Sequence, residues 1–194
     1  MKRLFYVFAV CLTGFAIQGC GNGTGSTTDT SDTSQMAADS MAAMDTTAMS
    51  LDQMDADFAN KAAVGGMAEV ELGKLAQEKG TSAKVKDFAK MMVTDHGKAN
   101  EELMSIAKMK NITLPSSLDE EHMKKMEELK SKSGAAFDKA YVSAMVEGHQ
   151  KTLALMQEAA QHCKDSDLKA FAEKTSPIVK AHLDRITSIQ SGMK

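Results

Sequence analysis

The sequence is poor in the residues that build β-sheet proteins and disulfide-rich proteins. Its 194 residues include only two Pro, no Trp and 5% aromatic residues, beside sixteen Met. Aromatic residues favour strands, whereas Ala, Met, Leu, Lys and Glu favour helices, so this composition disfavours a β-sandwich or a β-barrel. Three Cys are too few for a disulfide framework, and a net charge of −3 lacks the basic excess of a nucleic-acid-binding protein. We therefore expect a helical protein with no nucleic-acid partner.

The N-terminal segment is typical of an export signal that ends in a lipid attachment site. Two basic residues precede an uncharged apolar run at 4–17, which is shorter than the roughly 20 residues that a transmembrane helix needs. The run leads into Ile17-Gln18-Gly19-Cys20, which resembles the bacterial lipobox, where the Cys is diacylated and becomes the mature N-terminus. Lipidation of Cys20 is the favoured interpretation. Because Gln18 is unusual at its position, ordinary cleavage and an uncleaved anchor stay open as alternatives.

A low-complexity segment follows the lipobox. Residues 20–50 are mainly Gly, Ser, Thr, Asp and Ala and contain no Lys or Arg, a composition that cannot bury a core and predicts a flexible tether. No Asp follows Cys20, so the signal for inner-membrane retention is absent, and we expect an outer-membrane anchor with the domain in the periplasm. The predicted organisation is a signal peptide at 1–19, a tether at 20–50 and a helical domain at 51–194, with the membrane as partner through the lipid.

From residue 51 onward the apolar residues recur at helical spacing almost throughout. Four long helices are predicted, at 51–79, 81–110, 135–162 and 167–190. Thr81 and Ser82 are suitable N-caps for the second of them, and Ser116 and Ser117 open a short extra helix that ends near Ser133. Two hairpins joined by a crossover with its own short helix have the connectivity of a ferritin-like four-helix bundle, an all-α fold. An up-down-up-down bundle is the weaker alternative, because it needs no long connection.

Each long helix carries one strongly polar residue on its apolar stripe. Residues taken at alternating spacings of three and four along the helices are otherwise almost all apolar or small. Counted from the hairpin turns at 1.5 Å per residue, the three His lie near mid-height, and the Glu lies up to about 6 Å from that level. The four residues, one from each helix, are Glu69, His96, His149 and His182.

These four side chains predict a binding site for one transition-metal ion. Burying each of these groups costs about 1–3 kcal/mol of folding free energy unless the group is paired or coordinated. Three imidazoles and one carboxylate suit Zn²⁺, Fe²⁺, Mn²⁺ or Cu²⁺, between which the sequence does not distinguish. The alternative is a structural or interaction lipoprotein in which a metal-free His/Glu network only fixes the helix register.

Other features of the sequence narrow the class of site. The di-iron motif Glu-x-x-His is absent, because Val93 and Val179 stand three residues before His96 and His182. No nucleophile–base pair or phosphate-binding loop is present, which favours a non-enzymatic role over an enzyme. Three carboxylates flank the stripes and are candidate partners of the His rings: Asp95, Glu147 and Glu173. The adjacent Gly65 and Gly66 are expected to lie opposite His96 and either to give its ring room or to let the two helices approach closely.

Several parts of the helical domain resemble the domain of unknown function 4142 family. They are the runs at 58–73, 85–89, 92–96, 137–142 and 168–172, together with His149 and His182. The resemblance extends over residues 57–189, nearly all of the predicted domain. It implies a ferritin-like helical bundle in an exported bacterial protein, often a lipoprotein or outer-membrane protein. It implies no established activity.

Overall fold

A computed structural model of the protein describes residues 51–193, and these residues form five α-helices and no strand. The helices are α1 (Gln53–Lys79), α2 (Ala83–Met109), α3 (Glu120–Lys130), α4 (Gly134–His162) and α5 (Ser166–Ser191). The all-helical class is confirmed. The predicted signal peptide 1–19, the lipidated Cys20 and the tether 20–50 lie outside the described residues. Between 51 and 193, none of the helices is both long and apolar enough to cross a membrane.

Aspartate side chains fix where several helices begin. Asp52 accepts a hydrogen bond from the Met54 amide (3.0 Å), and Asp165 accepts from the amide of Leu168 (3.1 Å). The prediction that Ser116 and Ser117 open α3 is wrong, since α3 begins at Glu120. Its N-cap is Asp119, whose carboxylate accepts from the His122 amide at 2.9 Å. A carboxylate is a stronger acceptor for the free amides of a first turn than a hydroxyl, so the later position prevails.

The four long helices pack side by side as two antiparallel hairpins. α1 pairs with α2 and α4 with α5, while α1 also lies beside α4 and α2 beside α5. The start of α1 contacts the turn after α4, and the start of α4 contacts the turn after α1. α1 and α4 are therefore antiparallel. The connection 110–133 must travel from one end of the helices to the other, and α3 within it packs on α1 and α4.

The two hairpin turns are held by buried aspartates of the opposite hairpin. Asp55 of α1 is 1% exposed and accepts from the amides of Lys164 (3.0 Å) and Asp165 (2.8 Å) in the α4–α5 turn. Asp138 of α4 is 3% exposed and accepts from the amides of Thr81 (3.0 Å) and Ser82 (2.8 Å) in the α1–α2 turn. The predicted capping role of Ser82 is replaced by this contact, because the Ser82 side chain makes no capping hydrogen bond. Each hairpin thus closes the turn of the other.

The reciprocal contacts reflect an internal repeat that links α1–α2 to α4–α5. Residues at one constant separation along the chain occupy equivalent places in the two hairpins, including both buried aspartates and both C-cap residues. The pairs are Asp55/Asp138, Phe58/Tyr141, Gly80/Cys163, Val85/Leu168 and Phe88/Phe171. The reciprocal turn contacts and the constant spacing are those expected of two similar units related by a pseudo-two-fold axis across the helices.

The core consists of two apolar clusters, one toward each end of the helices. The first surrounds Phe88, Phe137 and Tyr141 near the α1–α2 turn. The second surrounds Phe58 and Phe171 near the α4–α5 turn. Between them lies a layer of buried polar side chains, and this layer is where the candidate site is found.

Candidate metal centre

The four polar residues predicted from the stripes all lie in the core. We call Glu69, His96, His149 and His182 the core cluster. They come from α1, α2, α4 and α5, and their exposed fractions are 5%, 6%, 0% and 3%. Helical periodicity turns each of them inward, as the sequence predicts.

The three imidazoles meet at one point of the core. The ring centroids lie 5.6 Å apart for His96–His149, 5.3 Å for His96–His182 and 5.6 Å for His149–His182. One nitrogen of each ring can be chosen so that all three lie within 4.8 Å of one another. Nitrogens bound to one tetrahedral ion at about 2 Å lie about 3.3 Å apart, so binding one ion requires the rings to move closer together.

Glu69 lies beside two of the three rings. Its Oε2 is 3.4 Å from His149 Nε2 and 3.7 Å from His96 Nε2. Both distances exceed the usual length of a hydrogen bond, so the carboxyl group is adjacent to the rings without being bonded to them. The side chain therefore bridges the offset along the helix that the sequence count predicted.

Each member of the core cluster has a buried polar atom without a hydrogen-bond partner. The four atoms are Glu69 Oε2, His96 Nε2, His149 Nε2 and His182 Nδ1. A buried polar atom left in this state costs about 1–3 kcal/mol. Four of them in one layer are what a bound cation with nitrogen and oxygen ligands would satisfy, so the residues fit a metal ion.

Two of the rings are oriented by hydrogen bonds on their far sides. His149 Nδ1 donates to the Met145 carbonyl (2.8 Å), which leaves the Nε2 lone pair for the cluster. His182 Nε2 lies 3.1 Å from Asp95 Oδ2, which leaves Nδ1. Metal-binding imidazoles typically have such a second contact, to a carbonyl or a carboxylate. Of the three flanking carboxylates, only Asp95 contacts a ring, whereas Glu147 forms an exposed ion pair with Lys151 (2.9 Å).

Burial keeps the cluster uncharged when no ion is present. Loss of solvation raises the pKa of Glu69 to about 8. It lowers the pKa of His96 to about 3, with a further contribution from the neighbouring imidazoles, and lowers the pKa of His149 to about 4. The pKa of His182 is also lowered by burial, against the opposing effect of Asp95. At neutral pH the three imidazoles are therefore in the neutral form that binds metals.

Two aromatic residues that pack beside the cluster were not predicted from the sequence. Phe88, 0% exposed, contacts the rings of His149 (centroids 5.9 Å apart) and His182 (6.5 Å) edge-on. Tyr141 packs on the far side of Phe88, and its buried hydroxyl has no partner. Phe88 immediately precedes Ala89 and does not belong to the stripe through Val85, Ala89 and Met92. Periodicity along that stripe therefore did not identify it as a neighbour of the cluster.

The remaining candidates lie away from the cluster. His122 contacts Asp119 (2.6 Å) at the start of α3, and the exposed His162 contacts the Glu158 carbonyl (3.1 Å). Cys163 is buried, and loss of solvation raises the pKa of its thiol to about 12, so it is protonated at neutral pH. Of the two roles expected for Gly66, room for His96 is replaced by close approach of α1 and α2. A Cβ at Gly66 would lie 2.0 Å from Asn100 Oδ1, so this glycine makes room for Asn100.

The sequence model of the family described as "Domain of unknown function (DUF4142)" matches residues 35–189. No curated protein matches the chain. Among solved structures, the chain is similar to a DUF305 fragment from Deinococcus radiodurans, with a TM-score of 0.65 and 9% identity over 73% of this chain and 97% of that chain.

Two further similar structures are of CopM. The Cu(II)-bound form has a TM-score of 0.63 and 12% identity over 72% of this chain and 97% of that chain. The Cu(I)-bound form has a TM-score of 0.60 and 11% identity over 71% of this chain and 96% of that chain. At these identities the likeness is one of fold.

Proposed function

The chain belongs to the DUF4142 family, whose description names no activity. From its own residues, we propose that it is an envelope-anchored bacterial lipoprotein whose helical domain binds one transition-metal ion in the core cluster. Its part in the cell is then to bind the ion, without a catalysed reaction. Ferritin-like bundles hold their ions between facing helices, and we include this chain among them because its second and third long helices run in the same direction and are joined by a crossover.

The single observation that carries the proposal is the set of four unpartnered polar atoms, one on each long helix, between two apolar clusters. Separate buried groups of this kind would destabilise the fold. A cation shared by all four removes the cost at one point, and the Glu69 carboxylate offsets part of its charge.

The internal repeat supports one ion over two. The residues equivalent to Glu69, His96, His149 and His182 in the opposite hairpin are Thr152, Val179, Gly66 and Ala99. Three of these offer no ligand atom, and a threonine hydroxyl is a weak one. A second ion related to the first by the pseudo-two-fold axis would lack ligands.

The donor set suits a borderline or moderately soft ion. Imidazole binds Zn²⁺, Cu²⁺ and Fe²⁺ well, whereas Mg²⁺ and Ca²⁺ prefer oxygen ligands only. The structures of CopM with Cu(I), Cu(II) and Ag come from proteins of similar fold, which favours copper as the first ion to test. The core cluster itself is compatible with Zn²⁺, Fe²⁺ and Mn²⁺ as well.

The second candidate function is a structural or interaction lipoprotein without an ion. The observation that favours it is the separation of 3.4 Å between Glu69 Oε2 and His149 Nε2, which a small movement would shorten to a hydrogen bond. With Glu69 protonated, its hydroxyl would donate to His149, but the free atoms of His96 and His182 would gain no partner.

Elemental analysis of the mature protein, purified without chelator, separates the two functions. We expect about one equivalent of a transition metal in the wild type and less than about one tenth in a His149→Ala/His182→Ala variant, because two of four ligands are lost. The matched control is His122→Ala/His162→Ala, which removes two His outside the core and should keep the ion. Sub-stoichiometric metal in every sample, including protein expressed in metal-supplemented medium, would contradict metal binding.

The envelope location is tested by Cys20→Ser. Two acyl chains plus the amino-terminal acyl group give stable membrane attachment, so loss of the acylated thiol should move the protein from the membrane fraction to the soluble periplasmic fraction. Fractionation and labelling with radioactive palmitate provide the measurement, and Cys163→Ser is the matched control that should stay membrane-bound and labelled. A Cys20→Ser protein that still sediments with membranes would indicate an uncleaved apolar anchor.

A further inference from the structure

A groove runs along the outside of the core cluster, between α1 and α4. We call it the α1–α4 groove. It encloses about 650 Å³, and the first turn of α3 borders one side of it. Its lining includes Val64, Gly65, Met145 and Gly148, and also Glu69, which belongs to the core cluster.

Two glycines keep the groove open at the level of Glu69. A Cβ added at Gly65 would meet no atom within 4 Å. A Cβ added at Gly148 would meet one atom, Glu69 Oε1, at 3.5 Å. Glycine inside a helix costs about 1 kcal/mol against alanine, so both positions sacrifice helix stability beside the groove.

Glu69 joins the groove to the imidazoles. Its Oε1 lies beside Gly148, which lines the groove, while its Oε2 lies 3.4 Å from His149 Nε2. The side chain is 5% exposed and Oε2 has no hydrogen-bond partner. One carboxyl group therefore presents one oxygen to each compartment.

The opposite side of the cluster is closed by a direct contact. There Asp95 hydrogen-bonds His182 Nε2 at 3.1 Å and covers that side of the ring. Besides Glu69, the groove lining carries four carboxylates against three Lys, and two of the four, Glu121 and Glu147, share the ion pair of Lys151; the other two are Asp119 and Glu158. An excess of carboxylates around a cleft raises the local concentration of cations.

We propose that the α1–α4 groove is the route by which a divalent metal ion reaches and leaves the core cluster, with Glu69 as the ligand that transfers the ion from the groove to the three imidazoles. The inference rests on the proposed metal-binding function. It assigns to Gly65 and Gly148 the task of keeping the passage free.

The test measures how fast Co²⁺ is taken up by the full mature protein after removal of its metal. Co²⁺ bound by three imidazoles and a carboxylate absorbs visible light, so stopped-flow absorbance follows its uptake. The variants are Gly65→Ala, Gly65→Leu and Gly65→Phe, which fill the groove progressively. They should fold because the position is free of contacts and gains helix propensity. Gly97→Leu is the matched control, since it too is a helical glycine whose Cβ would meet no atom within 4 Å, but it lies outside the groove lining.

We expect uptake to slow as the residue at 65 grows, by at least tenfold for Gly65→Phe, with one equivalent bound at equilibrium in every variant and a wild-type rate in Gly97→Leu. Equal uptake rates in all the Gly65 variants, with normal binding by the wild type, would overturn the route alone and direct attention to Asp95. A wild-type protein that binds no Co²⁺ would overturn both the route and the proposed function.

Discussion

Asp138→Ala is expected to lower the free energy of unfolding by about 3 kcal/mol, because it removes a buried carboxylate that accepts several part-buried hydrogen bonds at once. The Thr81 and Ser82 amides and the Thr81 hydroxyl all donate to this carboxylate, which is 3% exposed. Alanine leaves those donors without their protein acceptor, at a place where the carboxylate itself is buried although Thr81 is exposed. The melting temperature, followed by circular dichroism, should fall by about 10 °C in a domain of this size.

Asp119→Ala is the matched control for this loss. Asp119 also accepts from a backbone amide, that of His122, but its side chain is 52% exposed, and water can replace it. A cost near 1 kcal/mol is typical of an exposed N-cap. Equal losses in the two variants would mean that Asp138 acts only as a local cap and does not hold the two hairpins together.

Phe88→Ala is expected to cost about 4 kcal/mol of stability and to weaken metal binding by at least tenfold. The ring is fully buried, and its removal leaves a cavity against His149 and His182. Without the ring those imidazoles gain freedom to turn, and loss of support around metal ligands typically weakens binding 10–100-fold. Urea unfolding of the metal-free protein measures the first effect, and competition with a chromophoric chelator measures the second.

The internal repeat provides an unusually close control. Phe171 is the equivalent residue of the second hairpin, 3% exposed and packed against Phe58 in the cluster at the other end. Phe171→Ala should cost a similar amount of stability and leave the affinity for the ion unchanged. If both variants lose affinity equally, the loss follows from global stability and the Phe88 ring has no local role at the site.

The helices and the inward direction of the core cluster could be predicted from sequence because both depend on local periodicity. The predicted long helices differ from the observed ones by no more than two residues at either end, and all four polar stripe residues are buried. What periodicity cannot supply is the partner of each side chain across the structure. Asp55 in the first turn of α1 is easily interpreted as a complement to its own helix dipole, whereas its hydrogen bonds go to Lys164 and Asp165.

The site shows the same division between local and tertiary information. Sequence spacing named Asp95, Glu147 and Glu173 as equivalent partners for the rings, and only packing selects Asp95. The α1–α4 groove depends on how far apart two helices lie and on where α3 crosses them, and the two glycines that keep it open have no such meaning within a single helix.

The repeat also bears on how such a centre can arise. Two identical hairpins associating as separate molecules would present every side chain twice, so that a glutamate in one would always be accompanied by a glutamate in the other. The core cluster uses each of its four positions once, with Thr152, Val179, Gly66 and Ala99 at the duplicated places. In a pair of identical hairpins every site of this composition would occur twice, whereas one chain whose halves differ can hold a single one.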